Sequence, residues 1–253
     1  MQISQHTAIC SPYWEVAQEY WLPFNISFSA LSEEARLIFA HLQSIMPHDI
    51  SVYARGSVIE SALPFARSDL DLFFVLPENG LLPPLSHADI ITRRELDVKV
   101  IRKNTLQSDK ALYSLLAHRS IHVCGPVLNL APVKADHDFA WRHWLKYCPA
   151  GLPAEITCNH RYSVILMKQL IRSFGVLMFL EQNRFTRDIG ECIQYAARIY
   201  HSLPNLLNDI RINIEKSSEN VFSIRGVKNH LFDAFDGIYS AFATAEKDIN
   251  IKG

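Results

Sequence analysis

The sequence predicts an α+β chain: a mixed sheet with flanking helices, followed by an all-α helical domain. Three observations carry that expectation. Apolar or alternating runs at Ile50–Ala54, Leu70–Leu76 and Glu95–Ile101 alternate with helical segments in the first half. Beyond Val133 the apolar spacing turns helical with almost no strand signal. The chain has 253 residues, 49% of them apolar, enough for one large core or two smaller ones. The expected domains are residues 1–132 and 133–253.

Taken in order, residues 1–30 are rich in aromatics (Tyr13, Trp14, Tyr20, Trp21, Phe24, Phe28) and read as an irregular or helical arm. Packing into the core is the better account of them; stacking on a base or an acceptor is the alternative. Ser32 reads as an N-cap, with Glu33 and Glu34 in the first turn, where the helix dipole favours acids. That helix should run to about Ser44. Ile50–Ala54 is a short strand closed by Arg55-Gly56-Ser57, with a short helix after it, stopped by Pro64. Leu70–Leu76 is a strand whose Phe73-Phe74-Val75 centre predicts cover on both faces. Glu95–Ile101 alternates Leu96, Val98 and Val100 against Asp97, Lys99 and Ile101, which predicts a half-buried strand. Helices are expected near 107–118, 136–147, 159–182, 187–201, 203–215 and 228–247.

The formal net charge is −1, which argues against long nucleic acid as the main partner. The five cysteines are scattered and show no CxxC spacing, which predicts reduced thiols and a cytoplasmic setting. No basic-then-apolar leader opens the chain, and the longest uninterrupted apolar run, Phe174–Leu180, is too short to span a bilayer. No membrane partner is expected.

The informative stretch runs from Gly56-Ser57 to Asp69-Leu70-Asp71-Leu72. Asp69 and Asp71 stand two apart at the start of a strand, so both carboxylates face the same way. Paired carboxylates repel unless a cation lies between them, and hard oxygen donors suit Mg²⁺. If the strand carrying Asp97 lies alongside, a third carboxylate joins them. Three carboxylates can hold two Mg²⁺ ions roughly 3.5–4 Å apart. Gly56 permits a tight turn, and the helix start with the Ser57 hydroxyl offers donors for phosphates.

This order of Gly-Ser, Asp-x-Asp and a later acid on a strand resembles the DNA polymerase β-like nucleotidyltransferase superfamily. The helical remainder looks like the small aminoglycoside nucleotidyltransferases. The resemblance implies triphosphate binding by Gly56 and Ser57, and metal binding by Asp69, Asp71 and Asp97, with Asp97 either ligand or general base. It implies a Mg²⁺-dependent transfer of an NMP from an NTP, with ATP among the candidates, to an acceptor hydroxyl. A small molecule such as an aminoglycoside is the favoured acceptor. The 3′ end of an RNA such as tRNA, or a protein hydroxyl, is the alternative. A non-catalytic, antitoxin-like interaction module is the reading from another class.

Outside the motif, Arg161, Lys168 and Arg172 fall within about 40° of one another on an apolar helix. A basic stripe on a buried helix calls for an anion. Lys168 and Arg172 are therefore candidate nucleotide contacts; acids of the first domain, or solvent, are the other partners for such a stripe. Thr186-Arg187-Asp188 reads as a capping region, and Arg67 as a loop arginine that could touch a phosphate.

Overall fold

The computed structural model describes residues 11–23, 31–56, 59, 70–82, 96–147, 149–158 and 160–251, with the side chains of 96, 160–161 and 241–251 excepted. The chain divides into two compact units. One comprises residues 4–11 and 15–135; the other comprises 1–3, 12–14 and 136–253.

The first unit is built on a mixed four-stranded sheet. Its strands are β3 (Ser51–Arg55), β4 (Leu70–Leu76), β5 (Leu96–Arg102) and β6 (Ile121–Cys124), in the order β5-β4-β3-β6. The β3 strand runs antiparallel to β4 and β6, whereas β4 and β5 are parallel. Alternation along β4 sends Leu70, Leu72, Phe74 and Leu76 to one face and Phe73 and Val75 to the other. Helix α1 (Glu33–Ile45) covers the first face with Ala35, Ile38, Phe39 and Leu42, the i, i+3, i+4, i+7 stripe of an amphipathic helix. Ser32 caps it, its hydroxyl accepting from Ala35 N at 3.2 Å. The short α2 (Lys103–Leu106) and α3 (Lys110–Arg119) bring Leu106, Leu112 and Leu116 against Tyr53, Phe73 and Val75 on the second face. The sheet is therefore covered on both sides, as the apolar centre of β4 predicts. Gly125, at φ +80, turns the chain out of β6 where a Cβ would collide with the Ile50 carbonyl, so no other residue fits there.

Two features of this unit differ from the sequence expectation. The arm is neither helical nor irregular between residues 16 and 21. It forms a hairpin of β1 (Val16–Ala17) and β2 (Tyr20–Trp21) through Gln18 and Glu19, both at positive φ. Such turns usually advertise themselves by Asn or Gly, and this one carries neither. Trp21 is buried, and its amide donates to the Val133 carbonyl at 3.0 Å. In addition, Val98 and Val100 are exposed, on a strand that pairs only with β4 among the described residues.

The second unit is helical: α4 (His137–Tyr147), α5 (His160–Gln182), α6 (Ile189–Ile199), α7 (Leu203–Glu215) and α8 (Arg225–Ile251). Helix α5 lies at its centre and packs against the other four. Its segment Tyr162–Gln182 is long and apolar enough to cross a membrane, yet 67% of that apolar window is buried inside the protein. Trp144 of α4 stacks on Phe235 of α8 at 4.0 Å. Trp14 is held here, its amide donating to the Phe185 carbonyl and its ring against Phe139 and Phe185. A two-stranded ladder of β7 (Glu155–Thr157) and β8 (Val221–Ser223) adds strand where almost none was expected. Three residues are too few to show a period.

Two histidines make the fold acid-sensitive. Burial pushes the imidazole of His118 down to about 4, and that of His143 down to about 3. In an unfolded chain a histidine titrates near 6.5. Above that value both states are neutral and stability does not depend on these groups. Between about 6.5 and 4 the unfolded chain takes up protons that the folded protein refuses, so stability falls as the pH falls. Each histidine then costs about 1 kcal/mol per pH unit. The expected result is a Tm that declines from about pH 6.5 downward. His118→Gln keeps an acceptor for the Val133 amide, which His118 now receives at 3.2 Å, and should flatten the decline. An unchanged slope in that variant would remove His118 from the account.

Candidate active site

Three strands place three side chains in one row. Arg55 of β3 is the register partner of Asp71 on β4, and Asp71 is the register partner of Asp97 on β5. Residues in register across a sheet share a face, and neighbouring strands lie about 4.8 Å apart. Asp71 and Asp97 are therefore adjacent carboxylates on one side of the sheet. The condition that the sequence left open, that the strand of Asp97 lies beside that of Asp71, is met by the parallel pairing of β4 and β5.

Each carboxylate has a cation. Arg55 Nη2 lies 3.5 Å from Asp71 Oδ1, with side-chain exposures of 9% and 16%. Lys99 Nζ lies 3.5 Å from Asp97 Oδ2 in a much wetter setting, with exposures of 47% and 43%. Both cations also lie over the ring of Phe73, one row further in, with Arg55 Cζ at 5.2 Å and Lys99 Nζ at 5.6 Å from its centroid. Phe73 is fully buried and fixes the depth at which they sit.

Gly56 closes the row. It leaves β3 at φ +92, and a Cβ placed there would lie 2.6 Å from Asp71 Oδ2. The backbone thus passes directly against the carboxylate, and only a hydrogen occupies the side-chain position.

Among the described residues, no group of three His, Cys, Asp or Glu is positioned to hold a metal ion. Asp69, Ser57 and Arg67 lie outside the described residues. The donor set itself suits Mg²⁺: Asp71 and Asp97 are hard oxygen donors, adjacent and on one face.

Lys168 and Arg172 belong to the helical unit. Lys168 is exposed on its helix. Arg172 is half-buried, near enough to Cys192 to act on its thiol, though burial dominates and pushes that thiol up to about 12. The side chain of Arg161 is outside the described residues. Asp188 caps α6 by accepting from Glu191 N at 3.0 Å. The Thr186 hydroxyl, buried, donates to the Pro12 carbonyl at 2.7 Å and accepts from Asp188 N. Capping and chain-fastening account for that motif. The role of Arg55 escaped the sequence reading. Its only trace is its position at the end of the strand before Gly56, which becomes informative once the register with Asp71 is known.

No known family model matches the chain, and no curated protein matches it by sequence. Among solved structures, that of spectinomycin adenyltransferase AAD(9) from Enterococcus faecialis, with ATP and spectinomycin, is similar to this chain. The TM-score is 0.42 and the identity 14%, over 81% of this chain and 97% of that one.

Proposed function

We propose that the sheet unit is the catalytic part of a Mg²⁺-dependent nucleotidyltransferase, which moves an NMP from an NTP to an acceptor hydroxyl and releases pyrophosphate. The observation that carries this reading is the placement of Asp71 and Asp97 in register on parallel strands, with the Gly56 backbone against the Asp71 carboxylate. Asp69, Asp71 and Asp97 are the residues that would hold the metal. Bound there, Mg²⁺ supplies charge neutralisation for the polyphosphate and for the oxygens of the attacking and leaving groups. Gly56 and Ser57 hold the β- and γ-phosphates, the glycine by letting the backbone approach and the serine by its hydroxyl. Asp97, the more exposed of the two described acids, or a neighbouring acid takes the proton of the acceptor hydroxyl. The acceptor oxygen forms its bond to the α-phosphorus as the bond from that phosphorus to the β-phosphate oxygen breaks.

A small hydroxylated acceptor fits the near-neutral charge better than a long polyanion does. The test is transfer of label from each of four α-labelled NTPs, in Mg²⁺, to separate pools of aminoglycosides, total tRNA and cell protein. The Asp69→Asn/Asp71→Asn double variant is the control. Label in the aminoglycoside pool, lost in the control, supports the reading; label in tRNA or protein replaces the acceptor. No NTP binding at all would overturn the catalytic reading and leave an interaction module.

A further inference from the structure

We propose that Arg55 and Lys99 are resident counter-cations of the two site carboxylates. A nucleotide polyphosphate must take them over before a divalent cation binds tightly, so that nucleotide and metal load as a coupled pair. The proposal rests on the nucleotidyltransferase reading and assigns roles to two residues outside its motif.

The pairing is the first ground. Without ligands, Arg55 lies 3.5 Å from Asp71, and Lys99 lies 3.5 Å from Asp97. A divalent cation shared by those carboxylates would stand a few ångströms from both positive groups, and like charges at that range repel. Retreat is restricted. Arg55 is buried and lies over the Phe73 ring, so its charge stays near Asp71. Lys99 lies over the same ring but is half exposed, so it is the mobile member of the pair.

A polyphosphate reverses this balance. The guanidinium presents a planar set of donors that matches phosphate oxygens, and the ammonium is a compact charge that follows them. Once phosphate oxygens neutralise both cations, a metal at the carboxylates no longer meets their repulsion. Coupling between the two ligands is reciprocal by thermodynamic necessity.

The test is calorimetry with two probes measured separately: Mn²⁺ alone, and a nucleoside 5′-(α,β-methylene)triphosphate in EDTA. The variants are Lys99→Gln, whose exposed site keeps the fold, and Arg55→Gln, checked for folding by circular dichroism. The expected result is a pair of opposite changes in each variant: Mn²⁺ binds about fivefold tighter and the metal-free nucleotide about fivefold weaker. Loss of both affinities together would make the residues merely structural and overturn the proposal, as would no change in either. If Arg55→Gln does not fold, Lys99→Gln decides alone. Nucleotide that binds the wild type while the variants show no opposite changes sinks this proposal only. Nucleotide that fails to bind the wild type with or without Mn²⁺ sinks the nucleotidyltransferase reading with it.

Discussion

Asp71→Asn is expected to lower label transfer by at least on the order of 10²–10³-fold while the protein still folds. The substitution keeps the shape and an acceptor oxygen at the centre of the row, but removes the negative charge that faces Gly56 and Asp97. A neutral amide is a poor partner for a hard divalent cation. The same change removes the carboxylate that lies 3.5 Å from the Arg55 guanidinium, on a side chain only 9% exposed. Breaking a fully buried pair costs about 3–5 kcal/mol, and the partial exposure of Asp71 brings the expected loss down to roughly 1–2 kcal/mol. Urea unfolding would separate this loss from the catalytic one, because a folded population above 90% is compatible with it. Activity within tenfold of the wild type would remove Asp71 from the machinery.

Gly56→Ala is expected to produce the second large effect, through geometry alone. At φ +92 an alanine pays a backbone cost of about 1 kcal/mol or more. Its methyl would also lie 2.6 Å from Asp71 Oδ2, so either the carboxylate or the turn must shift. A displacement near 1 Å at a reacting centre costs on the order of 10² in rate. The prediction is a fall in kcat/KM of that order with a Tm lower by several degrees. An alanine variant with wild-type activity would show that the approach of this backbone to Asp71 is incidental.

Much of the sheet unit was legible because its signals are local and redundant. Ser32 with Glu33 and Glu34 marks a helix start, and the spacing of Ala35, Ile38, Phe39 and Leu42 marks its buried face. Leu70–Leu76 could be read as a strand covered on both faces from composition alone. The site was legible only in part. Asp71 and Asp97 could be named, but their juxtaposition depends on which strand β5 pairs with, and pairing is a long-range choice that alternation does not encode. The Arg55–Asp71 contact is hidden for the same reason: the partners are sixteen positions apart and meet only through the antiparallel register of β3 and β4. The exposure of Val98 and Val100 depends on what packs over that face of β5, which the strand's own alternation does not reveal. A helical wheel puts Lys168 and Arg172 on one face but does not say what covers it: Lys168 is exposed and Arg172 half-buried.

The central helix of the second unit has a consequence for biosynthesis. On the ribosome, α5 emerges well before α8, one of the helices that cover it. At translation rates of about 5–20 residues per second, the Tyr162–Gln182 segment waits several seconds for that partner. During that interval it presents a span-length apolar surface to the targeting and chaperone systems that sort nascent chains. Helix α4, made earlier, is its first shield, and the tempo of synthesis through α6 and α7 sets how long the segment depends on it.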